Sequence, residues 1–142
     1  MADVVKSKAA EQDIIIMTAA VADFCPSHPA DEKIKKNDSS YESVIELERT
    51  EDILSYLGAH KAKGQLICGF SMETQNMLEN SKAKLAKKNA DMIVANNLKV
   101  AGAGFGTDTN VVTLITADDC TELEIMDKSC VASRIMDRLL QM

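Results

Sequence analysis

The sequence predicts an α/β fold with a mostly parallel sheet, an antiparallel hairpin near the C-terminus, and a three-layer α/β/α, Rossmann-like arrangement. Short, wholly apolar runs such as Ile14 to Met17 have the composition of strands that are covered on both faces. These runs alternate with longer amphipathic segments, and the unit from Gln65 to Asn96 has the length of a parallel crossover. A length of 142 residues suits one domain over the whole chain, 1–142.

The first half of the chain predicts a helix and two strands. Apolar positions from Val4 to Ala9 indicate a short helix, and Ile14 to Met17 a buried strand. A polar loop from Asp23 to Ser40 follows, and Val44 to Leu47 indicate a second strand.

A second helix is predicted to begin near Thr50, because a threonine hydroxyl can cap a helix and carboxylates are favourable in its first turn. The carboxylates are those of Glu51 and Asp52, and Gly64 ends the helix. The residues predicted to face the core are Ile53, Leu54 and Leu57.

The middle of the chain predicts a strand, helix, strand unit. The strands are Gln65 to Phe70 and Asp91 to Asn96, and the helix runs from about Glu73 to Asn89. In such a unit the turn after Phe70 lies at the carboxyl edge of the sheet, where ligands of α/β proteins bind.

The C-terminal part predicts a hairpin and a last helix. Val111 to Thr116 and Glu122 to Ile125 flank a turn, and Ser129 is placed to cap the helix. The helix residues predicted to point inward are Val131, Ala132, Ile135, Met136 and Leu139.

The glycine-rich loop Gly102 to Gly106 does not match GxGxxG, and a strand pattern follows it where a dinucleotide site needs a helix. A Rossmann oxidoreductase is therefore disfavoured. We expect these glycines to be needed for positive φ angles or for close packing.

Composition and charge exclude several classes of function. The net charge is −6, with 46% apolar and 27% charged residues, which opposes non-specific nucleic-acid binding. No apolar run approaches the roughly 18 residues of a membrane span, and the N-terminus has no secretion-signal pattern. We expect a cytoplasmic protein that binds neither nucleic acid nor membrane.

Cysteine and histidine spacing indicates neither a metal site nor a nucleophilic triad. No CxxC pair occurs, and neither histidine stands in a motif with a serine or a cysteine. Reduced, structural thiols are expected. The residues concerned are Cys25, Cys68, Cys120, Cys130, His28 and His60.

Polar residues after the predicted strands are candidates for holding a nucleotide. Asp23 can accept from ribose hydroxyls or bind magnesium through water, and Lys33, followed by two more lysines, can neutralise a triphosphate. Lys84 and Lys88 are four residues apart on one helix face, so they could grip one phosphate chain. Main-chain groups at Phe70 could recognise a base. The alternatives are that the lysines are solvated surface charges, that Asp23 bonds within its loop and that Phe70 is a core residue.

Taken in order, seven motifs resemble phosphopantothenoylcysteine synthetase, the ligase domain of the bacterial bifunctional coenzyme A biosynthesis protein. The resemblance implies a homodimeric ligase that joins cysteine to 4′-phosphopantothenate, using CTP with Mg²⁺ and passing through an acyl-cytidylate. The motifs are Ala19 to Asp23, Glu32 to Lys36, Thr50 to Ile53, Gly69-Phe70 with Glu73-Thr74, Lys84 to Asp91, Ala95-Asn96, and Phe105 to Asn110.

The resemblance also implies roles for individual residues. Asp23 would contact the nucleotide, and Lys33 would contact the triphosphate and support formation and turnover of the acyl intermediate. The main chain of Phe70 would recognise cytosine, and Lys84 and Lys88 would bind the nucleotide.

A further segment of the nucleotide site is matched only in part. Thr50 and Glu51 replace the first two residues of an Asn-Pro-Asp-Ile-type segment that lines this site in the family. Asp52 and Ile53 match it cleanly. Without the proline, the turn is conformationally less fixed.

One departure from the family concerns what precedes Met1. The family domain opens with a strand and a glycine-rich turn bearing a GGTxExID-like motif, which the sequence does not contain. We therefore expect a chain that begins inside the domain, with exposed strand edges to be covered, and no FMN, because the flavin-dependent decarboxylase domain is absent. The alternative is a non-catalytic module that binds nucleotide or dimerises.

Overall fold

The computed structural model of the protein describes residues 1–33, 44–73, 76–97, 100, 103–104 and 106–142. They form two compact units, the main unit of Met1–Thr18 with Ile53–Met142 and the small unit of Ala19–Asp52. Predictions that concern Lys35, Lys36, Ser40, Gly102 and Phe105 lie outside the described residues.

Four helices and nine strands occur in the described parts of the chain. In chain order they are α1 (Ala2–Ala9), β1 (Ile14–Met17), β2 (Phe24–Pro26), β3 (Leu47–Arg49), α2 (Ile53–Ala59), β4 (Leu66–Glu73), α3 (Met77–Lys88), β5 (Met92–Asn97), β6 (Thr109–Asn110), β7 (Val112–Ile115), β8 (Cys120–Glu122), β9 (Met126–Asp127) and α4 (Lys128–Leu139).

The main unit is built on a five-stranded sheet of order β1-β4-β5-β7-β8. The pairs β1-β4 and β4-β5 are parallel, whereas β7 is antiparallel to both β5 and β8. β8 therefore has the direction of β5, so four of the five strands run the same way. This confirms the α/β class, the mostly parallel sheet and the C-terminal hairpin.

Helices cover both faces of the sheet because side chains alternate between the faces along each strand. Ile67 packs with α1 and α2, while its neighbour Cys68 packs with the buried α4 residues Val131, Ile135 and Leu139. Each fully buried aliphatic side chain contributes about 1.5–3 kcal/mol to stability. The three-layer arrangement predicted from the sequence is confirmed.

Several predicted boundaries in the first part of the main unit are wrong. α2 begins at Ile53 and ends at Ala59, so Thr50 does not cap it and Gly64 does not end it. α3 begins at Met77 instead of near Glu73, because β4 continues to Glu73 as a partner of β5. The four residues of β1 are half-buried because β1 is an edge strand of the described sheet.

Two C-terminal elements, β8 and α4, begin earlier than predicted. β8 starts at Cys120, and α4 starts at Lys128 with Asp127 in the N-cap position, so Ser129 is a residue of the first turn and not the cap. Ala132 and Met136 are exposed, because the buried stripe follows the four-residue spacing of Val131, Ile135 and Leu139.

The small unit contains a two-stranded antiparallel sheet in place of the predicted polar loop and second strand. β2 lies inside the predicted loop, and it pairs with β3 in the register Phe24 with Arg49 and Pro26 with Leu47. Val44 and Ile45 precede β3 and are exposed, so the strand predicted from them starts later and is not in the main sheet.

The glycine-rich loop leads into strands, as predicted. Gly104 and Gly106 have φ angles of 104° and 70°, which favour glycine. The next element is β6, which pairs with β9 in a small sheet that the sequence did not predict. Within the described residues, no helix combines the length and the apolar character needed to cross a bilayer.

Candidate nucleotide site

The carboxyl end of β4 is the part of the main sheet where the predicted base contact lies. β1 pairs with β4 up to Met17 opposite Gly69, and β4 then continues to Glu73 beside β5 alone. From Phe70 onward, the main chain of β4 is therefore not paired with β1 in the main sheet. A strand edge of this kind can bind a planar, hydrogen-bonding ligand as it would bind another strand.

Phe70 and Lys84 are joined at this end of β4. The ammonium nitrogen of Lys84 donates to the main-chain oxygen of Phe70 at 2.8 Å. α3 brings the lysine there because Ser81 and Leu85, which flank it on the helix, are buried against the sheet. The ring of Phe70 is half-buried on the apolar cluster that includes Cys68. Phe70 therefore packs its ring against the core, while its main-chain oxygen accepts a hydrogen bond from Lys84.

Lys88 lies one helical turn further along α3 and contacts α2. Its ammonium nitrogen donates to the hydroxyl of Ser55 at 3.0 Å. The two helices touch closely, since a β-carbon added to Gly58 would lie 1.8 Å from the main-chain oxygen of Lys88. An ammonium group has three protons, so the bond to Phe70 leaves Lys84 capacity for a ligand.

Ile53, another predicted site residue, is the first residue of α2 and is 5% exposed. Its side chain packs with Leu57 and Ile67 in the cluster under α1 and α2. This packing anchors α2, and therefore Ser55, on the sheet. The side chain of Ile53 is therefore part of the hydrophobic core.

A hydrogen-bonded group of polar side chains lies beside Phe70 and was not assigned a role from the sequence. Ser71 and Ser81 hydroxyls are 2.7 Å apart, and both residues are buried. Asn96 donates to the main-chain oxygen of Ser71 at 3.4 Å, and Asn110 donates to Oδ1 of Asn96 at 2.7 Å. The sequence signal that could have indicated Asn96 is a polar residue directly after the apolar run Met92 to Ala95.

Five predicted site residues belong to the small unit, where Asp23 and Thr50 are neighbours. The amide of Thr50 donates to the main-chain oxygen of Asp23 at 3.0 Å, and its hydroxyl donates to the oxygen of Ala22 at 2.5 Å. These bonds hold together the two ends of the β2-β3 hairpin and leave the Asp23 side chain exposed. The others, all exposed, are Lys33, Glu51 and Asp52.

The described residues do not form a metal cage of their own. They contain no group of three or more histidine, cysteine, aspartate or glutamate side chains placed to hold an ion. Asp23, for which the sequence suggested magnesium binding through water, has an exposed carboxylate, as do Glu51 and Asp52.

The cysteines are free thiols in three kinds of surroundings. Cys68 is buried, Cys25 is half-buried in β2, and Cys120 and Cys130 are exposed. Burial, with a smaller contribution from the Asp91 carboxylate, raises the pKa of the Cys68 thiol to about 12. Cys68 is therefore a protonated core residue at neutral pH, as expected for a structural thiol.

Comparison with known proteins identifies the family. The family of the DNA/pantothenate metabolism flavoprotein C-terminal domain matches residues 1–142. The chain belongs to this family. The relationship agrees with the resemblance drawn from the seven motifs.

Individual relatives agree with this membership. The coenzyme A biosynthesis bifunctional protein CoaBC of Bacillus subtilis is 48% identical over 128 residues, which are 89% of this chain and 31% of the relative. A cysteine/cysteine sulfinic acid decarboxylase of an unknown prokaryotic organism is 47% identical over 131 residues, 92% of this chain and 36% of the relative. The chain thus spans about a third of the length of these curated relatives.

A solved structure has the same fold. The crystal structure of the C-terminal domain of a coenzyme A biosynthesis bifunctional protein CoaBC is 40% identical with a TM-score of 0.75. The similarity covers 99% of this chain and 61% of that domain.

Proposed function

We propose that the chain is the nucleotide-binding part of a coenzyme A biosynthetic ligase, which joins cysteine to 4′-phosphopantothenate with CTP. The observation that carries the proposal is the bond from Lys84 to the Phe70 carbonyl at 2.8 Å, at the carboxyl end of β4. It brings together a predicted base contact and a predicted phosphate contact. Family membership and the name of the Bacillus subtilis relative support the same pathway.

The proposed reaction has two steps. A carboxylate oxygen of phosphopantothenate attacks the α-phosphorus of CTP, the bond to the β-phosphate oxygen breaks, and pyrophosphate leaves. The cysteine amine then attacks the acyl carbon, the carbon–oxygen bond to CMP breaks, and the amine loses a proton. Both steps depend mainly on positioning and charge stabilisation.

The chain's own residues supply that positioning and charge. Lys84 and Lys88 bind phosphate oxygens with their ammonium groups, which also donate to Phe70 and Ser55. Lys33 is exposed and can follow negative charge as it moves to pyrophosphate. Magnesium bound with CTP would neutralise part of the triphosphate charge. We further propose a cytoplasmic homodimer.

The activity named for the decarboxylase relative is not part of the proposal. The chain covers 36% of that protein, and a coenzyme A biosynthesis name accompanies the Bacillus subtilis match at similar identity.

The test uses a hybrid protein in which this chain replaces the matching 128 residues of the Bacillus subtilis relative. We expect the hybrid to release pyrophosphate from CTP when magnesium, phosphopantothenate and cysteine are all present. Omission of phosphopantothenate is the matched control, because it removes the attacking carboxylate. A folded hybrid that binds CTP but releases no pyrophosphate would leave the non-catalytic nucleotide-binding module. Absence of CTP binding at millimolar concentration would overturn both.

A further inference from the structure

The side chains of Asn110 and Asn96 connect the strand after the glycine-rich loop to the main chain beside Phe70. The amide of Val111 donates to Oδ1 of Asn110 at 3.0 Å, and Nδ2 of Asn110 donates to Oδ1 of Asn96 at 2.7 Å. Nδ2 of Asn96 donates in turn to the main-chain oxygen of Ser71 at 3.4 Å. All of these residues belong to the main unit.

Each bond in this series sets the orientation of the next side-chain amide. An amide oxygen only accepts and an amide nitrogen only donates, so the N–H of Val111 directs the oxygen of Asn110 toward itself. The nitrogen of Asn110 must then face Asn96. That contact directs the oxygen of Asn96 toward Asn110 and its nitrogen toward Ser71.

The main chain at Phe70 and Ser71 is also supported from α3. The Ser81 hydroxyl lies 2.7 Å from that of Ser71, with these residues 0% and 3% exposed. Lys84 binds the carbonyl of Phe70. Side chains from α3 and β5 thus converge on two consecutive residues of β4.

We infer that Asn110 is a positioning residue for nucleotide recognition, which acts through Asn96 to fix the main chain at Phe70 and Ser71. The inference rests on the proposed function, in which this main chain contacts the base. It assigns a role to two motif residues that the proposed chemistry does not use. Asn110 itself need not touch the nucleotide.

The test is Asn110→Asp, which keeps the acceptor for Val111 but removes the donor to Asn96. Asn96 would then turn its nitrogen toward the new carboxylate and its oxygen toward the carbonyl of Ser71. We expect CTP binding to weaken about tenfold relative to inorganic tripolyphosphate, as for the loss of one oriented hydrogen bond. Tripolyphosphate has no base, so the ratio of the two dissociation constants cancels any general effect of the added charge.

Two further variants of the hybrid protein make the result decisive. Gln65→Glu is the matched control: Gln65 bonds to the main-chain oxygens of Ala9 and Gln12 at 2.7 and 2.5 Å, near the amino end of β4. It should leave the ratio unchanged. Asn110→Ala removes the donor without adding charge and should shift the ratio in the same direction, which covers the case in which Asn110→Asp does not fold.

The outcomes separate this inference from the proposed function. If the unsubstituted protein does not bind CTP, the proposed function fails. If it binds CTP and the folded Asn110 variants leave the ratio of dissociation constants unchanged, the positioning role is overturned while the proposed function stands. Equal weakening of CTP and tripolyphosphate binding counts as an unchanged ratio.

Discussion

The ammonium nitrogen of Lys84 lies 2.8 Å from the main-chain oxygen of Phe70, so the middle of α3 is bound to the part of β4 that extends beyond β1. The bond places the positive charge of Lys84 beside an edge of β4 whose main-chain groups could hydrogen-bond to a nucleotide base. The residues proposed to contact the base and the phosphates are thus adjacent before any ligand binds. Such preorganisation lowers the entropic cost of binding.

The first prediction concerns Lys84→Met, which keeps most of the side-chain stem but removes the ammonium group. We expect CTP affinity in the hybrid protein to fall between about tenfold and a hundredfold, because a hydrogen bond to a charged group contributes about 1.5–3 kcal/mol. Calorimetric titration measures the change. Lys87→Met is the matched control, since Lys87 is exposed on the same helix. Equal effects of the two substitutions would contradict a specific role for Lys84.

The second prediction concerns Lys33→Gln. We expect pyrophosphate release by the hybrid protein to be abolished while CTP binding remains detectable, because the exposed Lys33 is proposed to follow charge as it moves during the reaction. Steady-state pyrophosphate assays and CTP titration separate the two effects. Lys63→Gln removes another exposed lysine and serves as the control. Unchanged turnover would remove Lys33 from the catalytic role.

Local patterns predicted much of the main unit because its strands are apolar runs that need no distant partner to be recognised. Ile14 to Met17 and the run ending at Asn96 were placed to within about a residue. The β2-β3 pair was not predicted, since the strand predicted from Val44 to Leu47 overlaps β3 only at Leu47, and Phe24 to Pro26 lies in a segment predicted to be a polar loop. Its existence depends on pairing with Phe24 to Pro26, which is a tertiary contact.

The candidate site was predicted as a set of residues but not as a set of contacts. The four-residue spacing indicated that Lys84 and Lys88 share a helix face. It could not indicate that their partners are Phe70 and Ser55, because a main-chain carbonyl has no sequence signature and Ser55 belongs to another helix. Similarly, the contact of Asn96 with Asn110 depends on how the chain returns after β5.

The third prediction concerns the close contact of α2 and α3 at Gly58. A β-carbon there would lie 1.8 Å from the main-chain oxygen of Lys88, and main chain in a packed helix cannot move aside. We expect Gly58→Ala to lower the free energy of unfolding by about 3 kcal/mol or more, as for severe overpacking. Urea denaturation measures this change.

Gly69→Ala is the comparison for that prediction. Its added carbon would lie 2.6 Å from Cδ2 of Leu54, the end of a flexible side chain that can change rotamer. We expect a smaller loss than for Gly58→Ala. The reverse order of stabilities would show that the contact between the helices at Gly58 adapts more easily than the geometry indicates.

The last prediction concerns Cys68, whose pKa is raised from 9.0 to about 12, chiefly by burial. The native state holds the thiol proton more tightly than the unfolded state, so the associated stability is fully present below pH 9.0 and is lost as the pH rises toward 12. Between pH 8 and about 10.5, unfolding free energies should therefore fall more steeply for the unsubstituted protein than for Cys68→Ala. Iodoacetamide should label the exposed Cys120 and Cys130 in the native protein, and Cys68 only after denaturation. Rapid native labelling of Cys68, or equal slopes for the two proteins, would contradict a buried thiol at this position.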